Sequence, residues 1–150
     1  MDDDLTRLET WAAPLLAKLG PQQRSKVARS IARSLRQSQA QRIAQQQNPD
    51  GSAFEPRKPR LREKKGRIRR AAMFGKLRTA KFMRVKYNPD SAGVEFAARV
   101  QRIARVHQEG GSDRVSKDGP RVRYPQRKLL GFSREDLRLI QNLLVDHLAP

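Results

Sequence analysis

Cysteine is absent from this chain, which excludes disulfides and thiolate metal sites and fits a reducing compartment. Aromatic residues are scarce at 5%, and apolar residues reach only 37% of 150 positions. The core of what reads as one domain must therefore be modest. No apolar run approaches the ~20 residues of a membrane span. The opening Met1-Asp2-Asp3-Asp4 is acidic, the reverse of the basic start of a secretory signal. A soluble protein, cytoplasmic when made, is expected. Clustered chemistry is missing too. The two histidines, His107 and His147, lie far apart, and isolated histidines suit packing or capping better than metal binding. His107 near a helix end suits a cation facing the dipole. No glycine-rich phosphate loop, nucleophile elbow or paired-carboxylate spacing occurs. Gly110-Gly111 alone reads as a turn. No enzyme, metal or cofactor is expected.

Acid is the other shortage: 15 Asp and Glu stand against 33 Lys and Arg, a net charge of +18. The imbalance is uneven. Residues 1–20 are net −2, residues 21–107 net +18 and residues 108–150 net +2. Such a field favours an anionic partner, either nucleic acid or an acidic protein surface. It is densest from Arg57 to Arg70, where nine of fourteen residues are basic and Glu63 is the only acid. Pro59 and Gly66 break regular structure there, so an extended arm, poorly ordered in isolation, is expected. Three readings stay open for it: a solvated charge run, a phosphate contact, or docking on acidic protein surfaces. It lacks aromatics for stacking on single strands, and no known nucleic-acid-binding signature accompanies it.

The rest of the chain reads as α-α-arm-α-β-β-α-loop-β-α, an α+β domain. Leu5, Leu8, Trp11, Leu15, Leu16 and Leu19 recur at helical spacing. Pro14 should kink or split that helix. Gly20-Pro21 is a stop followed by a start. A second helix spans Pro21 to about Gln47, with Val27, Ile31, Leu35 and Ile43 on one stripe and Arg24, Arg29, Arg33 and Arg36 opposite. The two helices form a hairpin, residues 1–47. The polar end, SQAQRIAQQQ, is expected to project beyond the core. Residues 48–70 form the loop and arm, opened by the turn Asn48-Pro49-Asp50-Gly51, with Phe54 as an anchor. Residues 71–150 form the α+β core. There Ala71–Thr79 reads as a short helix with Met73, Phe74 and Leu77 inward. Met83–Tyr87 and Val94–Phe96 read as a β-hairpin whose loop is longer than the tightest type. Val100, Ile103, Ala104 and His107 suit a helix stopping at Gly110. Residues 108–120 read as a mobile loop tip. The small antiparallel sheet is expected to be covered by helices and to leave edges open for another subunit.

The best-specified stretch is the last. Val122 and Tyr124 alternate with Arg121 and Arg123, and Pro125 ends that strand. Ser133 and Asp136 form a capping-box-like S-x-x-D. Phe132 and Leu137 can close a hydrophobic staple. Leu137, Ile140, Leu144 and Leu148 share one helical face, expected to lie on the sheet. Gly131 is expected to supply a positive φ. Arg127, Leu129 and Leu130, following Tyr124-Pro125 at the strand end, are a charged and apolar set just outside regular structure, suited to a subunit contact.

Three stretches, NPDGSAFEPRKPRLREKKGRIRR, RIARVHQEG and YPQRKLLGFSREDLRLIQNLLVDHL, together resemble the phage virion morphogenesis family of contractile-tailed temperate phages. LETWAAPLLAKL near the start fits as well. The N-P-D-G, R-I-A-R-V-H-Q and Y-P-x-R-x-L-L-G-F-S blocks are specific in combination and weak singly. The resemblance implies a non-enzymatic assembly protein in the virion, at the top of the tail or neck, acting when the finished tail tube becomes competent to join the filled head. It implies a homo-oligomeric ring, often six-fold, between tail terminator and head connector or portal-associated proteins, with DNA in the channel nearby. The partner-facing residues expected are Arg57, Lys58, Arg60, Arg62, Lys64, Lys65 and Arg67 of the arm, with Tyr124, Arg127, Leu129 and Leu130. The alternative is a basic nucleic-acid-binding protein contacting phosphates through residues 57–70.

Overall fold

A single long helix contributes to both halves of the core. In the computed structural model, which describes residues 2–57, 72–114 and 116–148, α1 spans Asp2–Leu16 and α2 spans Pro21–Ala44. Proline at the first turn and extended Gly20 before it start α2 cleanly. Val27 and Leu35 of α2 join Ala12, Ile140 and Leu144 in one apolar cluster. Near its end Ile43 joins Phe54, Met73, Leu77, Met83, Phe96, Ala104 and Leu129 in the other.

β1 (Met83–Asn88) and β2 (Ser91–Phe96) pair antiparallel and pack across α2. A 3-10 turn at Ala98–Val100 leads into α3 (Gln101–Glu109). Gly110, in the left-handed region at φ 71°, caps α3. A Cβ there would sit 3.2 Å from the Gln126 backbone nitrogen. β3 (Ser112–Arg114) and β4 (Arg121–Arg123) form a second antiparallel pair, and α4 (Arg134–Leu148) closes the chain. The class is α+β, with an N-terminal helical pair and a C-terminal helix, as expected.

Several local expectations need correction. The sheet is two separate two-stranded ladders. α4 lies on α1 and α2 rather than on a sheet, because its Ile140 and Leu144 meet the leucines and valine of the helical pair. Pro14 does not split α1; it falls in the last turn, where the helix is already ending. Residues 72–79 form no helix, only a turn at 75–78, since Phe74 takes a left-handed φ of 67° that no helix continues through. Met73 and Leu77 still point inward. The β1–β2 loop is the tight two-residue kind, Asn88 facing Ser91. Asn88 Oδ1 accepts the Asp90 N–H at 2.7 Å, an Asx turn that closes it. Residues 108–120, expected as a loop tip, contain β3. Arg24 leaves the outer face of α2 and donates to the Leu19 carbonyl at 3.1 Å.

The largest correction concerns the polar end of α2. It does not project. Gln39, Arg42 and Ile43 are buried, and their partner is the N-terminus of α4. Ser133 and Asp136 make the reciprocal capping box, each backbone N–H reaching the other's side chain at 3.0 Å. Asp136 is 1% exposed, and its carboxylate also accepts from Ser38 Oγ and from Gln39 Nε2. Gln39 Oε1 in turn accepts from Arg42 and from the Gly131 N–H. The remaining Arg42 donors reach the carbonyls of Gln47, Lys128 and Leu129 at 3.0–3.1 Å, leaving only Nε without a partner among the described residues. Gly131 is needed for close approach rather than for positive φ: a Cβ there would lie 2.6 Å from Pro49 Cγ.

Removing Asp136 should therefore cost more than a cap. We expect Ser133→Ala to cost about 1 kcal/mol and Asp136→Ala about 3 kcal/mol, because the side-chain donors of Ser38 and Gln39 and the Ser133 N–H lose their acceptor. Urea unfolding midpoints check this; equal losses for the two variants would reduce the carboxylate to a cap.

Candidate functional site

The described segments that flank the basic arm, Phe54–Pro56 and Met73, are bound on one small patch of the core. Lys58, Arg60, Arg62, Lys64, Lys65 and Arg67 lie outside the described residues, but the segments on either side of them are held firmly. Gln46, just past α2 and itself at φ 57°, bridges both sides. Its backbone carbonyl accepts the Phe54 N–H at 2.8 Å. Its side chain accepts the Met73 N–H at 2.7 Å and donates to the Met73 carbonyl at 2.9 Å, copying a strand partner with an amide group. Phe54 is buried, as its reading as an anchor required.

Arg127 holds the outgoing side. Its Nε donates to the Glu55 carbonyl at 2.8 Å, and a terminal nitrogen reaches the Pro56 carbonyl at 3.3 Å. Its own backbone N–H donates to the His107 carbonyl at 2.8 Å. Burial lowers the Arg127 pKa, Glu55 opposes that and Arg57 adds to it. Beneath the guanidinium, the His107 ring packs between Phe74 and Tyr124, with centroids 4.8 and 5.0 Å away. Burial first, then Arg127 and Arg57, push the His107 pKa down to about 4. The ring is therefore neutral at pH 7, and Nδ1 is placed 3.4 Å from Arg127 to accept from it. Packing was expected of His107; a cation at the helix end was not what formed, because desolvation and two arginines outweigh the dipole.

The set proposed for a subunit contact divides. Leu129 is fully buried and Arg127 is 5% exposed; Leu130 and Tyr124 are half-buried. The first two serve the interior of this chain. Arg57 is exposed, next to the last residue that Arg127 holds. The supporting residues that sequence reasoning passed over are amides. Gln108 Oε1 accepts the Leu129 and Leu130 N–H groups at 2.8 and 3.0 Å, and its Nε2 donates to the Leu130 carbonyl at 2.7 Å. Asn48 Oδ1 accepts the Lys128 N–H at 2.9 Å. Nothing in the pattern of a Gln or Asn distinguishes such a role from a solvated one.

Beside Tyr124, a cleft of 720 Å³ lies between α3 and the β3–β4 hairpin, lined in part by Arg102, Arg114, Lys117 and Arg121. Arg102 is paired with Asp113 at 3.6 Å. Among the described residues no three His, Asp or Glu side chains gather to hold a metal ion. The patch binds backbone and aromatic rings; it holds a segment in place.

Compared with known proteins, the chain matches the phage virion morphogenesis family over residues 3–149. It belongs to that family. A curated relative, the tail completion protein S of Escherichia phage P2, is 38% identical over 148 residues, covering 97% of this chain and 98% of that protein. No solved structure matches. In this member of the phage virion morphogenesis family, the three sequence blocks that carry the resemblance meet in space. N-P-D-G supplies Asn48 and Pro49, R-I-A-R-V-H-Q supplies His107 and Gln108, and Y-P-x-R-x-L-L-G-F-S is the segment they hold.

Neutral His107 makes the patch acid-sensitive. Unfolded, the ring takes a proton near 6.5; folded, near 4. The stabilisation is complete above the higher value and is lost as pH falls toward the lower one, since the unfolded state then binds more protons. Thermal midpoints measured between about pH 7 and pH 4.5 should fall, and fall less steeply for His107→Phe. Parallel curves for the two proteins would contradict this.

Proposed function

We propose that the chain is a non-enzymatic structural subunit that completes the phage tail and joins it to the filled head at the neck. The observation that carries this reading is the end-to-end likeness to the tail completion protein of phage P2, at 38% identity over nearly both full lengths. The geometry supplies a physical means. A docking segment works best when its ends are fixed, because less freedom is then lost on binding. Here Gln46 and Arg127 fix the backbone on both sides of the arm.

In this reading the copies form a ring, six-fold by the family expectation, between the tail terminator and the head connector. Arg57, Lys58, Arg60, Arg62, Lys64, Lys65 and Arg67 meet acidic surfaces of neighbouring subunits. The outer edges of both two-stranded ladders, unpaired among the described residues, offer further backbone donors and acceptors to a neighbour. The protein stays in the virion at the top of the tail after assembly in the host cytoplasm.

Complementation of a phage lacking the gene tests this. With Arg60, Arg62, Lys64, Lys65 and Arg67 all changed to Gln, filled heads and separate tails should accumulate and infectious yield should collapse. Normal yield from phage without the gene, or purified virions lacking the protein, would overturn the reading.

A further inference from the structure

The outer side of α2 carries a row of cations that pair with no acid among the described residues. Lys26, Arg29, Arg33 and Arg36 are spaced three, four and three residues apart, which keeps them on one side of the helix. At 1.5 Å per residue the stripe is ~15 Å long. Asp and Glu are absent from the whole of Pro21–Ala44. Lys26, Arg29 and Arg33 are exposed and Arg36 is half-buried. β1 lies alongside and adds Arg84, so that Arg33, Arg36 and Arg84 share a 550 Å³ furrow with Gln37 and Val85. The ion pairs among the described residues are Arg24–Asp90, Lys86–Glu95 and Arg102–Asp113; none involves the stripe or Arg84.

Charge repulsion in this arrangement opposes folding. Arg29 and Arg33 stand four residues apart, a spacing at which like charges repel. Placing Glu at such positions is the ordinary remedy, and this helix has none. Cations aligned in this way suit an anion whose charges also repeat along a line. Three features select the sugar-phosphate backbone of duplex DNA over an acidic protein surface or a single strand. Protein interfaces concentrate binding energy in aromatic and large apolar anchors, yet the exposed large apolar residues, Trp11, Tyr87, Ile103 and Val145, all lie off α2. Unpaired bases need aromatic platforms, and the stripe has none. Lys and Arg in a row neutralise phosphates without reading base edges.

We propose that Lys26, Arg29, Arg33 and Arg36 of α2, with Arg84 of β1, form a sequence-independent site for the backbone of duplex DNA. The site shares no residue with the arm or with the patch around Gln46 and Arg127, and it goes beyond tail joining by giving the long helix a ligand of its own.

The test uses the full chain and a short labelled DNA duplex in a salt series. Binding should weaken linearly in log–log form with salt, equally for two unrelated sequences. The triple variant Lys26→Gln, Arg29→Gln, Arg33→Gln should reduce the magnitude of that slope by ~3, about 0.9 for each phosphate released. Its unfolding midpoint should be no lower than that of the parent, since repulsion is relieved, so lost binding cannot be put down to lost folding. The arm variant described above should keep the stripe's share of the slope. No retention at low salt, or an unchanged slope in the triple variant, would overturn the proposal. So would polyglutamate displacing the duplex as well as polyphosphate does at equal charge, because an acidic protein would then be the occupant.

Discussion

A stretch of chain that is neither helix nor strand, and is hidden from water, must find a partner for each peptide group it buries. Residues 124–133 are such a stretch where they turn inward, with Arg127, Leu129 and Ser133 buried and Gln126 and Lys128 exposed between them. Side chains from elsewhere do the work that a ladder would do. Gln108 takes two successive N–H groups and returns a donor to a carbonyl. Gln39 takes the Gly131 N–H, Asn48 that of Lys128, and Arg42 donates to two carbonyls. These partners come from α2, the turn after it, and α3. The segment therefore ties three distant parts of the sequence together, and α4 starts from it at a fixed place through the box of Ser133 and Asp136.

The same constraint explains how a chain this basic keeps two arginines inside. Arg42 and Arg127 are held largely by carbonyl oxygens instead of carboxylates. For each, burial pulls the pKa down while a nearby acid, Asp136 or Glu55, pulls the other way. Planar guanidinium forks suit this task, because one head reaches several peptide oxygens in different segments. The remaining cations face outward, where they raise solubility and attract anions but add little to folding. Interior arginines thus fix the backbone around the arm, while exterior ones give the molecule its field.

Much of the chain was legible because its signals are local. The S-x-x-D box, the Gly20-Pro21 break, the alternation of Met83, Val85 and Tyr87, and the stop at Gly110 each depend on a few adjacent residues, and each formed. What failed depended on partners far away. SQAQRIAQQQ reads as polar on all sides, yet Gln39 and Arg42 are interior because residues 97 and 86 positions later come to meet them. Leu129 and Arg127 read as a surface set because nothing in their own neighbourhood announces Gln108, Glu55 or Arg42. Phe74 shows the opposite kind of failure: apolar spacing proposed a helix, and contacts with Phe54 and His107 accompany a backbone that breaks it. The blocks that carry the family likeness were read as three separate motifs and are one site.

Native-state hydrogen exchange at the Leu129, Leu130 and Gly131 amides tests the central claim most directly. If borrowed side chains hold this segment as firmly as a ladder would, these amides exchange only through opening of the whole domain, with protection matching that of Ile43 within α2. Exchange as fast as at Lys117, in the exposed turn between β3 and β4, would contradict the account.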